Sequence, residues 1–529
     1  MFEIKDVDFK SDNYGIESYL NNWPMLYILE NGKKAYVGQT TSITSRMAQH
    51  KASESKLLFN KAHFIYSDKF NQSATFDYES KLISLMSADN KFVLTNQNSG
   101  VAGLDYYDKI FYDKEFIDLW NKLQKKKLVE KSIDEIQKSD LFKYSPYKEL
   151  NPEQRKLVDD VLDELKRSID RKIIINGMPG SGKTIVAVFL FKLLKETPDF
   201  RNLKIGMVVP PTSLRKTISK VFKTVDGLSS KDVLGPSEVA NEQYDLLLVD
   251  EAHRLKKRVN LSSYDSYDKT CAKLGLDNSA TQLDWILKQS KGVILFYDRN
   301  QIVFPAGLEV DRIINNNSFD MRMRAYYTLL SQMRCLGGSN YLSDIEALLH
   351  DNLTHKVSHA KYELFLVNSF SRFEEIYREK EKEFGLTRML AGYAWRWDSK
   401  NDKKNHTEHF DIVIEKFKKK WNSCDKDWIN SDNAVNEVGC IHTTQGYDLN
   451  YGFVIIGKDL VYDTESKKIC VDRNSYFDKY GKIGTTDAEL TEYIKNVYYV
   501  LLSRGIKGTY IYVCDEELRK HLCEYINKI

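Results

Sequence analysis

No two cysteines in this chain form a C-x-x-C pair, and the seven present (Cys271, Cys335, Cys424, Cys440, Cys470, Cys514 and Cys523) are an odd number in a chain of 529 residues. That pattern excludes a zinc ribbon and a disulfide framework and points to reduced thiols in the cytosol. Long apolar runs are lacking too: none approaches the ~18 residues that a membrane span needs. The opening Met1-Phe-Glu-Ile-Lys-Asp-Val-Asp has no basic stretch leading into an apolar core, so a soluble, cytoplasmic protein without membrane partners is expected. Nor is there a charge excess of either sign. The 78 basic side chains are nearly balanced by 75 acidic ones, a net of +3, so any surface for a polyanion must be local. There are no internal repeats and no low-complexity tracts, and a chain of this length has room for about three domains.

What is present centres on Gly177-Met-Pro-Gly180-Ser181-Gly182-Lys183-Thr184, which spells the phosphate-binding loop G-x-x-x-x-G-K-[ST]. The apolar, β-branched run Lys172–Asn176 before it suits a buried strand, and Ile185–Leu194 after it suits a helix packed under a sheet. Strand, loop and helix are the context the motif requires. Its glycines let backbone N–H groups turn toward phosphates, Lys183 reaches the β- and γ-phosphates, and the Thr184 hydroxyl suits Mg²⁺. A second apolar strand, Tyr244–Val249, delivers Asp250 and Glu251 to a sheet edge. Asp250 is expected to hold Mg²⁺ opposite Thr184, and Glu251 to orient or deprotonate the attacking water. ATP and Mg²⁺ are therefore the expected cofactors.

The first hundred residues carry a different chemistry. Met25–Leu29 and Ala35–Gly38 flank an Asn-Gly turn signal, which predicts a β-hairpin. Ile43, Met47 and His50 follow at helical spacing, with Arg46 and His50 one turn apart, and a second amphipathic helix fits Phe76–Met86. A single carboxylate, Glu79, suits one Mg²⁺ that otherwise keeps water and substrate oxygens. Arg46 suits a scissile phosphate, and Tyr36 or Tyr27 could help activate water. Singly, such residues are more often packed tyrosines, a solvated arginine and a surface glutamate.

In order, they resemble the GIY-YIG nuclease domain over about residues 23–100. Tyr27 matches the tyrosine of the first half-motif, and Tyr36-Val37-Gly38 matches the second. Thr40, Arg46 and His50 follow the family spacing, while Glu79 and Asn96 stand where the family has its metal-binding glutamate and late asparagine. The first half-motif reads Met25-Leu26-Tyr27, without the usual Gly-Ile. The resemblance implies phosphodiester hydrolysis by Tyr27, Tyr36, Arg46, His50, Glu79 and Asn96.

Downstream of the phosphate loop the order of blocks resembles a superfamily 1 helicase over roughly residues 146–525. The D-E-A-H-R box, His442-Thr-Thr-Gln-Gly-Tyr-Asp-Leu449 and Leu502-Ser-Arg504-Gly505 are similar to the helicase domain of the Schlafen type. The resemblance implies that Gln154 reads the adenine base, as in the Q motif of helicases, and that Gln301, after the strand Val293–Asp298, couples ATP to nucleic acid. It further implies that Arg334 and Arg504 act as arginine fingers. The box is D-E-A-H where unwinding members commonly have D-E-x-Q, and the stretch after Arg258 has no assignment. Trp395 and Trp397 suit core packing before base stacking.

The expected fold class is α/β: a small GIY-YIG-like domain (1–104), a helical connector (105–147) carrying Lys125-Lys-Lys127, and two tandem RecA-like parallel-sheet lobes (148–320 and 321–529). The expected function is an ATP-dependent nucleic-acid translocase or helicase fused to a Mg²⁺-dependent endonuclease. DNA is its expected partner in preference to RNA, and defence against foreign DNA or repair its expected setting. Two alternatives stand beside it: an ATPase switch that gates the nuclease without unwinding, and a motor whose N-terminal domain anchors nucleic acid without cutting.

Overall fold

The computed structural model describes residues 2–11, 13–96, 106–137, 139–147, 150–261, 263–309, 324–332, 335–402, 406–424, 428–444 and 447–529. By contact density the chain divides into one unit of 1–169, 184–235 and 244–248, and another of 170–183, 236–243 and 249–529.

The first unit opens with a mixed sheet of β1 (Glu3–Asp8), β2 (Met25–Glu30), β3 (Lys34–Thr40), β4 (Lys61–Tyr66) and β5 (Val93–Leu94), in the order β1-β4-β2-β3-β5. The predicted hairpin is present, with Met25 opposite Thr40 and Glu30 opposite Ala35. Its turn closes because the Asn31 side chain accepts from the amides of Lys33 and Lys34 at 3.1 and 2.8 Å, while Gly32 takes φ +82°, a conformation in which a side chain is strained. This register sets Tyr27 opposite Gly38, and a methyl on Gly38 would overlap the Tyr27 hydroxyl. Only glycine fits there.

Helix α1 (Ile43–Lys51) follows the hairpin and α2 (Gln72–Asp89) crosses the sheet. Asn71 caps α2 by accepting from the Ala74 amide at 2.8 Å, and Asn90 ends it at φ +63°. The next helix, α3 (Lys109–Lys125), is part of the same core: Phe116, Leu119, Trp120 and Leu123 are buried with Tyr78, Leu82 and Met86 of α2. Burial of such side chains stabilises by roughly 2 kcal/mol each. The Asp89 carboxylate accepts from the amides of Glu130 and Lys131, and Trp120 Nε1 donates to the Lys131 carbonyl at 2.9 Å, which fixes the exit from α3. Helices α4 (Ile133–Gln137), α5 (Asp140–Lys143), α6 (Pro152–Arg167), α7 (Lys183–Glu196) and α8 (Thr212–Lys223) follow, with the parallel pair β7 (Ile205–Val208) and β8 (Val233–Leu234).

In the second unit β6 (Lys172–Gly177) lies between two parallel neighbours, β10 (Ser290–Tyr297) and β11 (Arg324–Leu329). A further sheet runs in the order β12 (Glu363–Leu366), β20 (Gly505–Val513), β17 (Leu449–Ile456), β13 (Thr387–Ala391), β16 (Val438–Gly439), with parallel pairing throughout. Its central strands are apolar almost continuously, as expected where helices cover both faces. Two hairpins, β14–β15 (Ile412–Ile414, Phe417–Lys419) and β18–β19 (Leu460–Asp463, Lys468–Val471), are appended. Strand β9 (Tyr244–Val249) ends at Asp250. The expected class, α/β with a small N-terminal domain and parallel-sheet lobes, is the class observed.

The stretch after Arg258 has a structure that sequence reading did not supply. Arg258 grips Asp268 of α9 (Tyr264–Lys273) through Nε and Nη2 at 2.7 and 2.9 Å, and Asn260 donates to the carbonyls of Tyr480 and Ile483. Among the described residues no helix is long and apolar enough to cross a membrane.

Candidate functional site

The N-terminal cluster is built on the hairpin and α1. Tyr27 on β2 is fully buried, and its hydroxyl lies 2.8 Å from Nε2 of His50, while Nε of Arg46 donates to it at 3.1 Å. Burial, reinforced by the nearby Arg46 and Lys56 charges, pulls His50 down to about 4. The imidazole is then neutral at pH 7, and its tautomer sets which of Nε2 and the Tyr27 hydroxyl donates in the bond between them. Tyr36 on β3 is only half-buried, with its ring 5.3 Å from His50 and 6.2 Å from Tyr27. Asn96 clasps β3 beside it: its Oδ1 accepts from the Val37 amide at 3.1 Å and its Nδ2 donates to the Val37 carbonyl at 2.8 Å.

Glu79 projects from α2 into the same region. Burial pushes its carboxyl up to about 7, against the pull of Arg46 and a backbone bond from Gln39. Among the described residues no group of three or more His, Cys, Asp or Glu side chains could hold a metal. The donor set is one carboxylate, which fits a Mg²⁺ that keeps most of its waters. Sequence reasoning missed Lys56, whose ammonium stands 3.3 Å over the Tyr36 ring. No periodicity marks it, because it sits on a single 3₁₀ turn after α1.

The Gly177–Thr184 loop turns on two glycines. Gly180 and Gly182 both take φ +82°, where only glycine is unstrained, so successive amides can face one concavity. The buried Lys183 ammonium donates to the carbonyls of Gly177 and Met178 at 2.5 and 3.2 Å and meets Oδ2 of Asp298 at 3.3 Å. Gln301 donates to that same oxygen at 2.7 Å. The structure thus brings Lys183, Asp298 and Gln301 together, and the strand end after β10 touches the lysine of the loop. Gln332 reaches the loop as well, donating to the Pro179 carbonyl. This contact was not legible in the sequence, since the two segments are 153 residues apart.

Asp250 is fully buried at the end of β9. Glu251, next to it, adopts φ +53°, and its carboxylate lies 2.9 Å from Nε2 of the buried His253. Burial opposes the charge on Glu251, but His253, Lys183 and Arg254 outweigh it and hold the carboxyl well below its usual range. Ser181 is buried within the loop, and Thr184 follows Lys183 in the first turn of α7. Gln154 is buried in α6, where its Oε1 accepts from the Asn151 amide and closes a capping box.

Arg504 is buried behind helix Asp487–Leu502, its Nε donating to the Val500 carbonyl at 2.9 Å. Arg334 lies outside the described residues, as do Gln445 and Gly446. Trp395 and Trp397 are partly buried and pack on the core that holds Trp421 and Phe453.

Comparison with known proteins finds two family models along this chain. A family model described as Schlafen group 3, DNA/RNA helicase domain, matches residues 170–515, well over half of the chain. The chain belongs to the Schlafen group 3 helicase family. A model of the GIY-YIG catalytic domain matches residues 24–92, so this family member carries a GIY-YIG domain ahead of its helicase domain. The uncharacterized protein YPL245W of Saccharomyces cerevisiae is 25% identical over 431 residues, covering 70% of this chain and 90% of that protein. Among solved structures, Bacteroides Pif1 bound to single-stranded DNA is 12% identical with a TM-score of 0.28, covering 69% of this chain and 92% of its own. A DEAD box protein from Methanococcus jannaschii is 13% identical with a TM-score of 0.26, covering 80% and 98%.

Proposed function

We propose that this Schlafen group 3 chain is an ATP-driven nucleic-acid translocase joined to a Mg²⁺-dependent endonuclease that cuts DNA in preference to RNA. The observation that carries the nuclease half is the hydrogen-bonded cluster of Arg46, Tyr27 and His50, with Glu79 and the Asn96 clasp beside it. Hydrogen bonds shared among buried side chains hold one geometry, which a phosphodiester site requires. In this reading Arg46 grips the scissile phosphate and stabilises its developing charge. Glu79 holds the Mg²⁺ that supplies Lewis acidity. Tyr36, more exposed than Tyr27, faces the water, while Tyr27, His50 and Asn96 orient the site.

In the motor, Lys183 exchanges its loop carbonyls for nucleotide phosphates. Gly177, Gly180, Ser181 and Gly182 cradle them, Gln154 meets the base, and Thr184 with Asp250 holds Mg²⁺. Glu251 orients the attacking water, Gln301 reports through Asp298, and Arg334 and Arg504 act as arginine fingers. The domain limits expected from sequence (1–104, 105–147, 148–320, 321–529) are the proposed division of labour. Such a pairing suits defence against foreign DNA in a reducing cytoplasm.

The test is cleavage of end-labelled duplex and single-stranded DNA and RNA with Mg²⁺, with and without ATP, by wild type, Glu79→Ala and Lys183→Ala. Loss of cutting in Glu79→Ala, and an ATP effect that Lys183→Ala removes, are expected. No cutting of any substrate, while nucleic acid still drives ATP hydrolysis, would leave an anchor in place of a nuclease. ATP hydrolysis that does not grow with strand length would leave a switch in place of a translocase.

A further inference from the structure

The segment Val93–Asn96 is held along both of its edges. On one side it is zipped to β3: the Val93 and Thr95 amides donate to the Lys33 and Ala35 carbonyls at 3.0 and 2.9 Å, and Asn96 clasps Val37. The opposite edge is held by Val225 and Asp226, just past α8, and by Tyr147, ahead of α6. The Asp226 amide, just past α8, donates to the Leu94 carbonyl at 3.4 Å, and Val225 bridges Leu94 in parallel. Val225 is buried in the core shared by β2, β3 and α2. The Tyr147 hydroxyl donates to the Asn96 carbonyl at 3.0 Å.

Tyr147 is 2% exposed, and its ring carries the Lys192 ammonium 5.0 Å from its centroid. Lys192 is itself buried and paired with Glu196 at 2.6 Å, one turn further along α7. Helix α7 begins at Lys183 in the phosphate loop, so Lys192 lies about 13 Å along it. A helix is stiff over that length. It joins the loop lysine to the residue packed on Tyr147 in one continuous element. Burial, with Glu196 and Asp226 adding to it, keeps the Tyr147 phenol protonated at all ordinary pH, so it remains a donor.

We propose that Tyr147 is a positioning residue for the nuclease: seated against the phosphate-loop helix and bonded to Asn96, it makes the geometry of Tyr36–Gly38 depend on the nucleotide state of the motor. The proposal rests on the reading of both halves given above, but its primary test does not use cleavage. Hydrogen exchange of the peptide spanning residues 34–40 is followed in the full chain, with and without a non-hydrolysable ATP analogue and Mg²⁺. In the wild type the analogue is expected to change exchange there by at least about fivefold, the lower end of ordinary coupling between sites.

Tyr147→Phe keeps the ring and removes only the hydroxyl, and it is expected to abolish that response while binding the analogue within about twofold of wild type. Lys192→Met leaves the Asn96 bond in place and removes only the cation, and the same loss is expected. Where DNA is cut, Tyr147→Phe lowers kcat by about tenfold, leaves KM for DNA within about twofold and makes the rate indifferent to ATP. Exchange in the wild type that ignores bound analogue overturns the proposal, as does a response that survives in either variant. Coupled exchange without cleavage of any substrate upholds the coupling of residues 34–40 to nucleotide through Tyr147 and removes the nuclease reading. A chain that binds no nucleotide overturns both.

Discussion

Replacing Tyr27 by phenylalanine removes one oxygen and leaves the ring in its fully buried place, so its effect isolates the hydrogen bonds of the hydroxyl. Two partners lose their bond: the Arg46 Nε donor at 3.1 Å and His50 Nε2 at 2.8 Å. Arg46 is half-exposed and can turn to water, whereas His50, 6% exposed, cannot. The cost is therefore close to that of one buried, unsatisfied group, about 1–3 kcal/mol. For a unit of this size that corresponds to a fall in melting temperature of about 3–10 °C. With Arg46 no longer held, cleavage should fall by one to two orders of magnitude, in kcat more than in KM. The assay is thermal unfolding beside single-turnover cleavage, with Tyr36→Phe as the comparison. Tyr36 is less buried, so its variant should lose activity with less than about 1 kcal/mol of stability. The reasoning is wrong if Tyr27→Phe melts and cuts like wild type, or if Tyr36→Phe is the less stable of the two.

Gly38→Ala places a methyl onto the Tyr27 hydroxyl and should cost about 1–3 kcal/mol through overpacking, together with most of the cleavage. Wild-type cutting by that variant would refute the close approach. Asp298→Ala releases both Lys183 and Gln301, and nucleic-acid-stimulated ATP hydrolysis should fall about 10- to 100-fold in a steady-state assay. Asp459 is fully buried. Its carboxyl, pushed by burial up to about 7, accepts from the Tyr498 hydroxyl at 2.6 Å. Because the folded chain holds that proton more tightly than the unfolded one, stability should be full below pH ~4 and fall as pH rises to about 7. The loss is on the order of 4 kcal/mol from this group. Asp459→Asn should flatten the profile, and urea midpoints at pH 5 and pH 8 that differ as in wild type would count against it.

The phosphate loop, the Asp250–Glu251 pair and the hairpin were legible in the sequence because each is local. A loop that binds phosphate through its backbone needs glycines at fixed spacing, and a two-strand turn needs Asn-Gly between apolar runs. The candidate nuclease residues could be named in order for the same reason. Their ranking could not. That Tyr27 is buried and bridges Arg46 to His50, while Tyr36 stays half-exposed under Lys56, follows from the register of β2 on β3 and from where α1 packs. That Trp120 and Leu123 are buried with Tyr78, Leu82 and Met86 of α2 was not legible, because an amphipathic stripe does not say which partner it will cover. Gln332 at the phosphate loop, the buried bond from Tyr498 to Asp459 and the contact from Lys192 through Tyr147 to Asn96 carry no sequence signature at all. Spacing along the chain encodes what neighbouring residues do to one another. Only the closed fold decides which distant groups must share a buried space, and so which charges, protons and hydrogen bonds each of them keeps.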